Sequence, residues 1–162
     1  MVSEIVRTPE AMPELPEVET TRRGLEPHLE GARILRTHIY RRDLRQPVTQ
    51  GLERTLAGKR ILKLRRRAKY LLFDIEGGKV LLAHLGMSGT FTLTPQTHYQ
   101  RRTHDHLWFD LDNGLRLVFH DPRRFGLILL LDKGEEKAHP LLKNLGYEPL
   151  SPDFTPEALH AG

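Results

Sequence analysis

From residue 32 to residue 132 the apolar residues of this chain come in short runs, many at alternate positions, and glycine-bearing turns separate several of them. A period of two sends successive side chains to opposite faces of a strand, so these runs read as strands rather than helices. Strands are expected at residues 32–40 (ARILRTHIY), 58–67 (GKRILKLRRR), 69–75 (KYLLFDI), 79–85 (KVLLAHL), 106–112 (HLWFDLD), 115–120 (LRLVFH) and 127–132 (LILLLD). Glu76-Gly77-Gly78 and Asn113-Gly114 lie between consecutive runs and suit tight hairpins. Leu107, Phe109 and Leu111 alternate, which gives their strand one buried face. Hairpin-linked strands form antiparallel sheets, and two such sheets bury their apolar faces against each other. The expected fold class is therefore α+β, mainly β: a two-layer antiparallel β-sandwich with an N-terminal helix.

The helix precedes the strands. Pro13 and Pro16, with Glu14, Glu17 and Glu19, suit a first turn, where proline lacks nothing and carboxylates meet the positive end of the helix dipole. Val18, Leu25 and Leu29 fall near one face, and Gly31 can end the helix. Gly24 and Pro27 predict a bent or irregular last turn. Residues 1–11 are polar and read as a leader, either a mis-assigned translation start or disordered. The main domain is expected at 12–154 and a truncated linker at 155–162, with a short helix at about 139–145.

At 162 residues and 38% hydrophobic content the chain can bury the core of one domain. It has no cysteine, which excludes disulfides and a thiolate zinc site within it. No apolar run approaches the roughly 20 residues needed to span a bilayer, and the first eleven lack a secretory signal. A cytoplasmic, nucleoid-associated protein without a membrane partner is expected. Net charge is +4, and seven of the eleven residues from Lys59 to Lys69 are Lys or Arg with no acid among them. Such a run attracts polyanions, although solvated strand faces carry similar charge without a ligand.

Three groups of residues can carry chemistry. In Met12-Pro13-Glu14, loss of the methionine leaves a secondary amine that can attack an aldehyde or a sugar C1′ and form an iminium. The alternative is that the prolines only start a helix. In Leu85-Gly86-Met87-Ser88-Gly89 and Asp121-Pro122-Arg123-Arg124-Phe125-Gly126, an exposed methionine, arginine and phenylalanine can form a wedge that enters a base stack. The alternative makes Met87 and Phe125 core residues. In His104-Asp105-His106, residues i and i+2 of a strand share a face, so two imidazoles can chelate a metal, or a strand-end histidine can donate to a phosphate or a backbone carbonyl.

PELPEVETTRRGLEPHL, RRAKYLL, HLGMSG, HDH and DPRRFG, in this order and spacing, resemble the formamidopyrimidine-DNA glycosylase family, from Met12 to about Phe154. The resemblance implies a base-excision repair glycosylase with AP-lyase activity that removes oxidised purines (formamidopyrimidine, 8-oxoguanine) from damaged double-stranded DNA, acting as a monomer. It implies Pro13 as nucleophile, Glu14 as general acid or proton shuttle, and Lys69 as a phosphate- or lesion-binding group active in elimination. His104 and Arg123 match DNA-binding positions, and Met87, Arg123 and Phe125 match the trio that fills the gap left by a flipped nucleotide. By the same resemblance the basic segment from Lys59 to Lys69 joins the phosphate track. Complete family members continue into a helix–two-turn–helix domain and a zinc finger. The resemblance thus implies no metal and no cofactor within this chain, because the family's zinc sits in that finger. Two other readings stay open: a non-catalytic module that binds damaged DNA, and a metal-dependent hydrolase built on His104 and His106.

Overall fold

The computed structural model describes residues 15–142. Helix α1 (Leu15–Leu29) comes first, followed by strand β1 (Ile34–Ile39) and a five-residue helix α2 (Leu52–Leu56). Strands β2 (Ile61–Arg67), β3 (Tyr70–Ile75), β4 (Lys79–His84), β5 (Thr90–Pro95), β6 (Asp105–Leu111), β7 (Leu115–His120) and β8 (Leu127–Asp132) complete the frame. They form two antiparallel four-stranded sheets, ordered β1-β6-β7-β5 and β2-β3-β4-β8. The expected α+β sandwich with an N-terminal helix is the architecture observed.

One core lies between the sheets and under α1. Leu71, Phe73 and Ile75 of β3, Phe91 and Leu93 of β5, Leu107, Phe109 and Leu111 of β6, and Leu117 and Phe119 of β7 all point into it. Phe91 is its hub, with ring centroids 6.0 Å from Phe73 and 5.3 Å from Phe119. The strands rich in consecutive apolar residues have a second job. Leu72, Val80, Leu82, Leu129 and Leu131 face the other way and pack with Leu142. A strand buried on both faces needs no alternation, which is why β3, β4 and β8 read as continuous apolar runs.

Helix α1 stays α-helical through both Gly24 and Pro27 to Leu29, so its last turn is not irregular. Pro27 lies on the exposed side, where the carbonyl that loses its donor can turn to water, and Leu25 and Leu29 are fully buried on the other side. Strand β5 and helix α2 were not foreseen from the pattern. In β5 the sequence TFTLTP hides two core residues among threonines, and its Pro95 is tolerated because β5 is an edge strand. The helix expected at about 139–145 is not there in its described part: residues 136–142 form turns, and 143–145 lie outside the described residues. Those turns are held by Arg65 and Arg67, which reach Glu136, and by Arg67 Nη2 donating to the Leu142 carbonyl at 3.3 Å.

Helix α1 is fastened to sheet two by a buried carboxylate. Glu19, 6% exposed, accepts hydrogen bonds from Arg22, from Arg23 and from Arg66 of β2. Burial pushes its carboxyl up, and the three arginines more than reverse that, leaving it at about 2. Because the folded value lies below the ordinary 4.5, the Glu19 contribution is complete above that pH and disappears as pH falls through about 2. We expect unfolding free energy measured against denaturant to lose on the order of 3 kcal/mol across that window from this group. Glu19→Gln should lower stability at neutral pH and flatten that part of the pH profile; an unchanged profile would show that the network adds nothing.

Candidate active site

Strand register decides which loops meet. In sheet two, Tyr70 pairs with His84 and His84 with Leu127, so the start of β3, the end of β4 and the start of β8 lie side by side. In sheet one, Thr90 and Asp105 both pair with His120, which aligns the starts of β5 and β6 with the end of β7. The chain leaving β4 crosses to the other sheet through residues 85–89, and the chain leaving β7 crosses back through 121–126. Those crossovers carry Met87, Arg123 and Phe125. The β2–β3 turn carries Lys69, and the entry to β6 carries His104. Five candidate residues thus gather at one end of the sandwich. Pro13 and Glu14 lie outside the described residues, two positions or fewer before α1 begins at Leu15.

The crossovers touch backbone to backbone. A Cβ on Gly86 would stand 2.7 Å from the amide nitrogen of Gly126, and one on Gly126 would stand 2.6 Å from the His84 carbonyl and 2.7 Å from Phe119 Cζ. Only hydrogen fits at these points. The contact is locked by Asp121, whose side chain is fully buried. Ser88 Oγ donates to its Oδ1 at 2.9 Å and the Gly126 amide to its Oδ2 at 2.8 Å, so one carboxylate joins both loops. The backbone of Asp121 extends the lock: its amide donates to the His104 carbonyl at 3.0 Å, and its carbonyl accepts from His106 Nε2 at 2.7 Å.

On this support sit the exposed groups. Arg123 is exposed, with Nη1 3.8 Å from Met87 Sδ, and its amide donates to Ser88 Oγ at 3.2 Å. Phe125 is 47% exposed, so the reading that makes it a core residue does not hold. Met87 is half-buried between the two roles. Lys69 is half-buried and follows Ala68, whose φ of 52° is uncommon for a residue with a side chain and turns the chain sharply from β2 into β3.

His84 is the residue that pattern reading passed over. It accepts from the Gly86 amide at Nδ1 (2.9 Å) and meets Tyr70 edge to face at 4.7 Å. Burial, with the charges of Arg45 and Lys69 added, lowers it to about 4, so at neutral pH it is uncharged and presents Nε2–H as a donor. Asp121 and Ser88 were quoted inside motifs but not read as the lock. An acid at a strand exit, five residues before a glycine, was the available signal.

Two expectations need correction. His104 does not lie on a strand; it sits in a turn at φ 77°, ahead of β6. Its ring stands 6.1 Å from those of His106 and His120, while His106 is held by Asp121 and His120 Nδ1 donates to Asp105 at 2.7 Å. Among the described residues no three His, Asp or Glu side chains are grouped to hold a metal ion. The basic run is also less available than its composition implies. Arg65 pairs with Asp74 and Glu136, Arg66 with Glu19, and Arg67 with Glu136. Lys63 stays exposed, as do Arg41, Arg45, Arg101, Arg102 and Arg123 on the loops around the site.

A sandwich with this helix and this loop end is the architecture of the N-terminal domain of a family of DNA glycosylases. Solved structures of the Lactococcus lactis Fpg protein superpose on it: a complex with FAPY-dG containing DNA has a TM-score of 0.76 at 36% identity, covering 84% of this chain and 51% of that one. A complex of the same protein with abasic site containing DNA gives 0.76 at 36%, with 84% and 50% covered. The formamidopyrimidine-DNA glycosylase N-terminal domain matches residues 12–128, and the chain belongs to that family. Formamidopyrimidine-DNA glycosylases of Xanthomonas oryzae pv. oryzae (strain PXO99A) and Ruegeria sp. (strain TM1040) are 52% and 48% identical, over 93% and 88% of this chain. The chain spans about half the length of these relatives, 54% and 53%.

Two substitutions separate the lock from what it holds. Gly126→Ala should destabilise the domain by about 3 kcal/mol in urea unfolding, because its methyl group meets backbone and a buried ring. Phe125→Ala should cost about 1 kcal/mol or less, as expected of a half-exposed loop residue. Equal losses in the two variants would return Phe125 to the core.

Proposed function

We propose that this chain carries the catalytic half of a base-excision repair glycosylase with AP-lyase activity, acting on oxidised purines in duplex DNA. The observation that carries the reading is the convergence of Lys69, Met87, His104, Arg123 and Phe125 on one end of the sandwich. Membership of the family and the damaged DNA bound by the Lactococcus lactis relatives support it.

The chemistry begins with a nucleotide turned out of the helix, since C1′ is concealed while its base is stacked. Met87, Arg123 and Phe125 occupy the space it leaves, offsetting an unstacking cost of a few kcal/mol per step. A free Pro13 amine attacks C1′ with its lone pair, and the damaged base leaves with the electrons of its bond to C1′ and takes up the proton that the Pro13 nitrogen gives up. Glu14 supplies a proton during sugar-ring opening, which leaves an iminium between Pro13 and C1′. That cation acidifies the C2′ hydrogen; loss of this proton expels the 3′ phosphate, and a second elimination expels the 5′ phosphate. Lys69 contacts phosphate and transfers protons in these steps. His104 and Arg123 bind the backbone or the orphaned base.

A form whose first residue is Pro13 should yield a covalent adduct with abasic-site DNA that borohydride makes permanent, with the cross-link mapped to Pro13 by peptide mass spectrometry. The 162-residue chain retaining Met12 should not react there, because an amide nitrogen has its lone pair delocalised into the carbonyl. Equal trapping of both forms at one lysine would remove Pro13 from the mechanism. Affinity for duplex DNA should also fall steeply with added salt as phosphate counterions are released, and a flat response would count against nucleic acid as the partner.

A further inference from the structure

Arg66 lies on β2 but makes no contribution to a basic surface. Its side chain is 2% exposed and its guanidinium is divided between two elements. Nε donates to Glu19 Oε1 at 2.9 Å, and Nη1 donates to the Ala68 carbonyl at 3.1 Å. Glu19 is on the second turn of α1, about 6 Å along the axis from Leu15, and Pro13 is six residues before it in the chain. The Ala68 carbonyl belongs to the peptide group whose nitrogen is that of Lys69. One planar fork therefore touches both the helix that follows Pro13 in the chain and the turn that carries Lys69.

We propose that Arg66 and Glu19 are positioning residues, a buried pair that sets the Lys69 turn against the N-terminal end of α1. The inference rests on the roles proposed above for Pro13 and Lys69. The physical need is specific. Ala68 holds φ 52°, a conformation an L residue keeps only when its surroundings impose it. The bond from Arg66 to its carbonyl is one such constraint. Without it the two-residue turn can relax, carrying Lys69 with it, while the sheet below stays paired from Arg67–Tyr70 onward. Reacting groups tolerate little of this: a misplacement of about 1 Å costs roughly a hundredfold in rate. Arginine is required over lysine because a single ammonium on a flexible stem lacks the fixed fork that reaches both acceptors.

The network contains its own control. Arg22 gives Glu19 two hydrogen bonds, and also reaches Glu26 and the Leu64 carbonyl, but makes no hydrogen bond to the Ala68–Lys69 turn. Arg22→Gln should therefore loosen α1 on sheet two without releasing the turn. In the form that begins at Pro13, we compare Arg66→Lys, Glu19→Gln and Arg22→Gln with the parent. The readouts are single-turnover borohydride trapping on abasic-site DNA, affinity for the same DNA, and melting temperature. Trapping should slow by about 10- to 100-fold in Arg66→Lys and by several-fold in Glu19→Gln, with affinity within about threefold of the parent. Arg22→Gln should lose melting temperature yet trap within about threefold of the parent rate. If rates simply follow melting temperature across the three variants, or if Arg66→Lys traps at the parent rate, the positioning role is overturned and the proposed mechanism stands. Should Arg66→Lys fail to fold, Glu19→Gln against Arg22→Gln decides the question. A parent that forms no adduct at Pro13 overturns the proposed function itself, and this inference with it.

Discussion

A carboxylate with no access to water joins the two sheets at the end where the candidate residues gather. Asp121 accepts from Ser88 Oγ on one crossover and from the Gly126 amide on the other, and its own backbone reaches His104 and His106. Removing one partner of such a group leaves a buried charge poorly satisfied, at a cost of several kcal/mol. That penalty makes the join all-or-none. It also explains why the loops above can be exposed and chemically varied: Met87, Arg123 and Phe125 need no packing of their own to stay in place. The glycines at 86 and 126 are the steric side of the same constraint, since a methyl group at either would push the crossovers apart.

Much of the frame was legible before any coordinates, for a physical reason. Strands facing core on one side and solvent on the other carry their burial in alternation, and hairpin turns carry theirs in glycine. The strands hidden on both faces were also legible, as short apolar runs bounded by turns. Strand β5 was not, because Thr90, Thr92 and Thr94 separate only two core residues, Phe91 and Leu93, and threonine is equally at home in a loop. Pro27 did not end the helix: α1 continues to Leu29 because Leu25 and Leu29 are fully buried and the carbonyl deprived of its donor faces water.

The candidate residues could be named from the sequence, but what holds them in place could not. Lys69, Met87, His104, Arg123 and Phe125 are assembled by pairings such as Tyr70 with His84 and Thr90 with His120, and register is a property of the folded sheet, not of a motif. Ser88 and His84 carry no distinctive spacing, and Asp121 only its place at a strand exit five residues before Gly126. What marks them is burial and hydrogen-bond geometry, and neither exists until the crossovers meet. The paired-imidazole reading of His104 and His106 failed on a single dihedral angle: a period-two argument requires both residues to be in the strand, and His104 turns at φ 77° before it begins.

Charge is where composition and structure diverge most. The densest basic run in the sequence lies in β2, yet Arg65, Arg66 and Arg67 are each answered by a carboxylate inside the fold. A phosphate seeking Arg66 would first have to break a buried pair, at about 3–5 kcal/mol, more than a single exposed phosphate contact returns. Arg45, Arg101 and Arg123 are exposed at the loop end, and none has a carboxylate within ion-pair distance among the described residues. Arg101 is further held over the ring of Tyr40 at 3.5 Å, which orients its guanidinium without neutralising it. Counting basic residues along the chain thus overstates the charge that β2 leaves unpaired. The same residue type serves as internal clamp in β2 and as field source on the loops, and the distinction is set by whether a carboxylate lies within reach after folding.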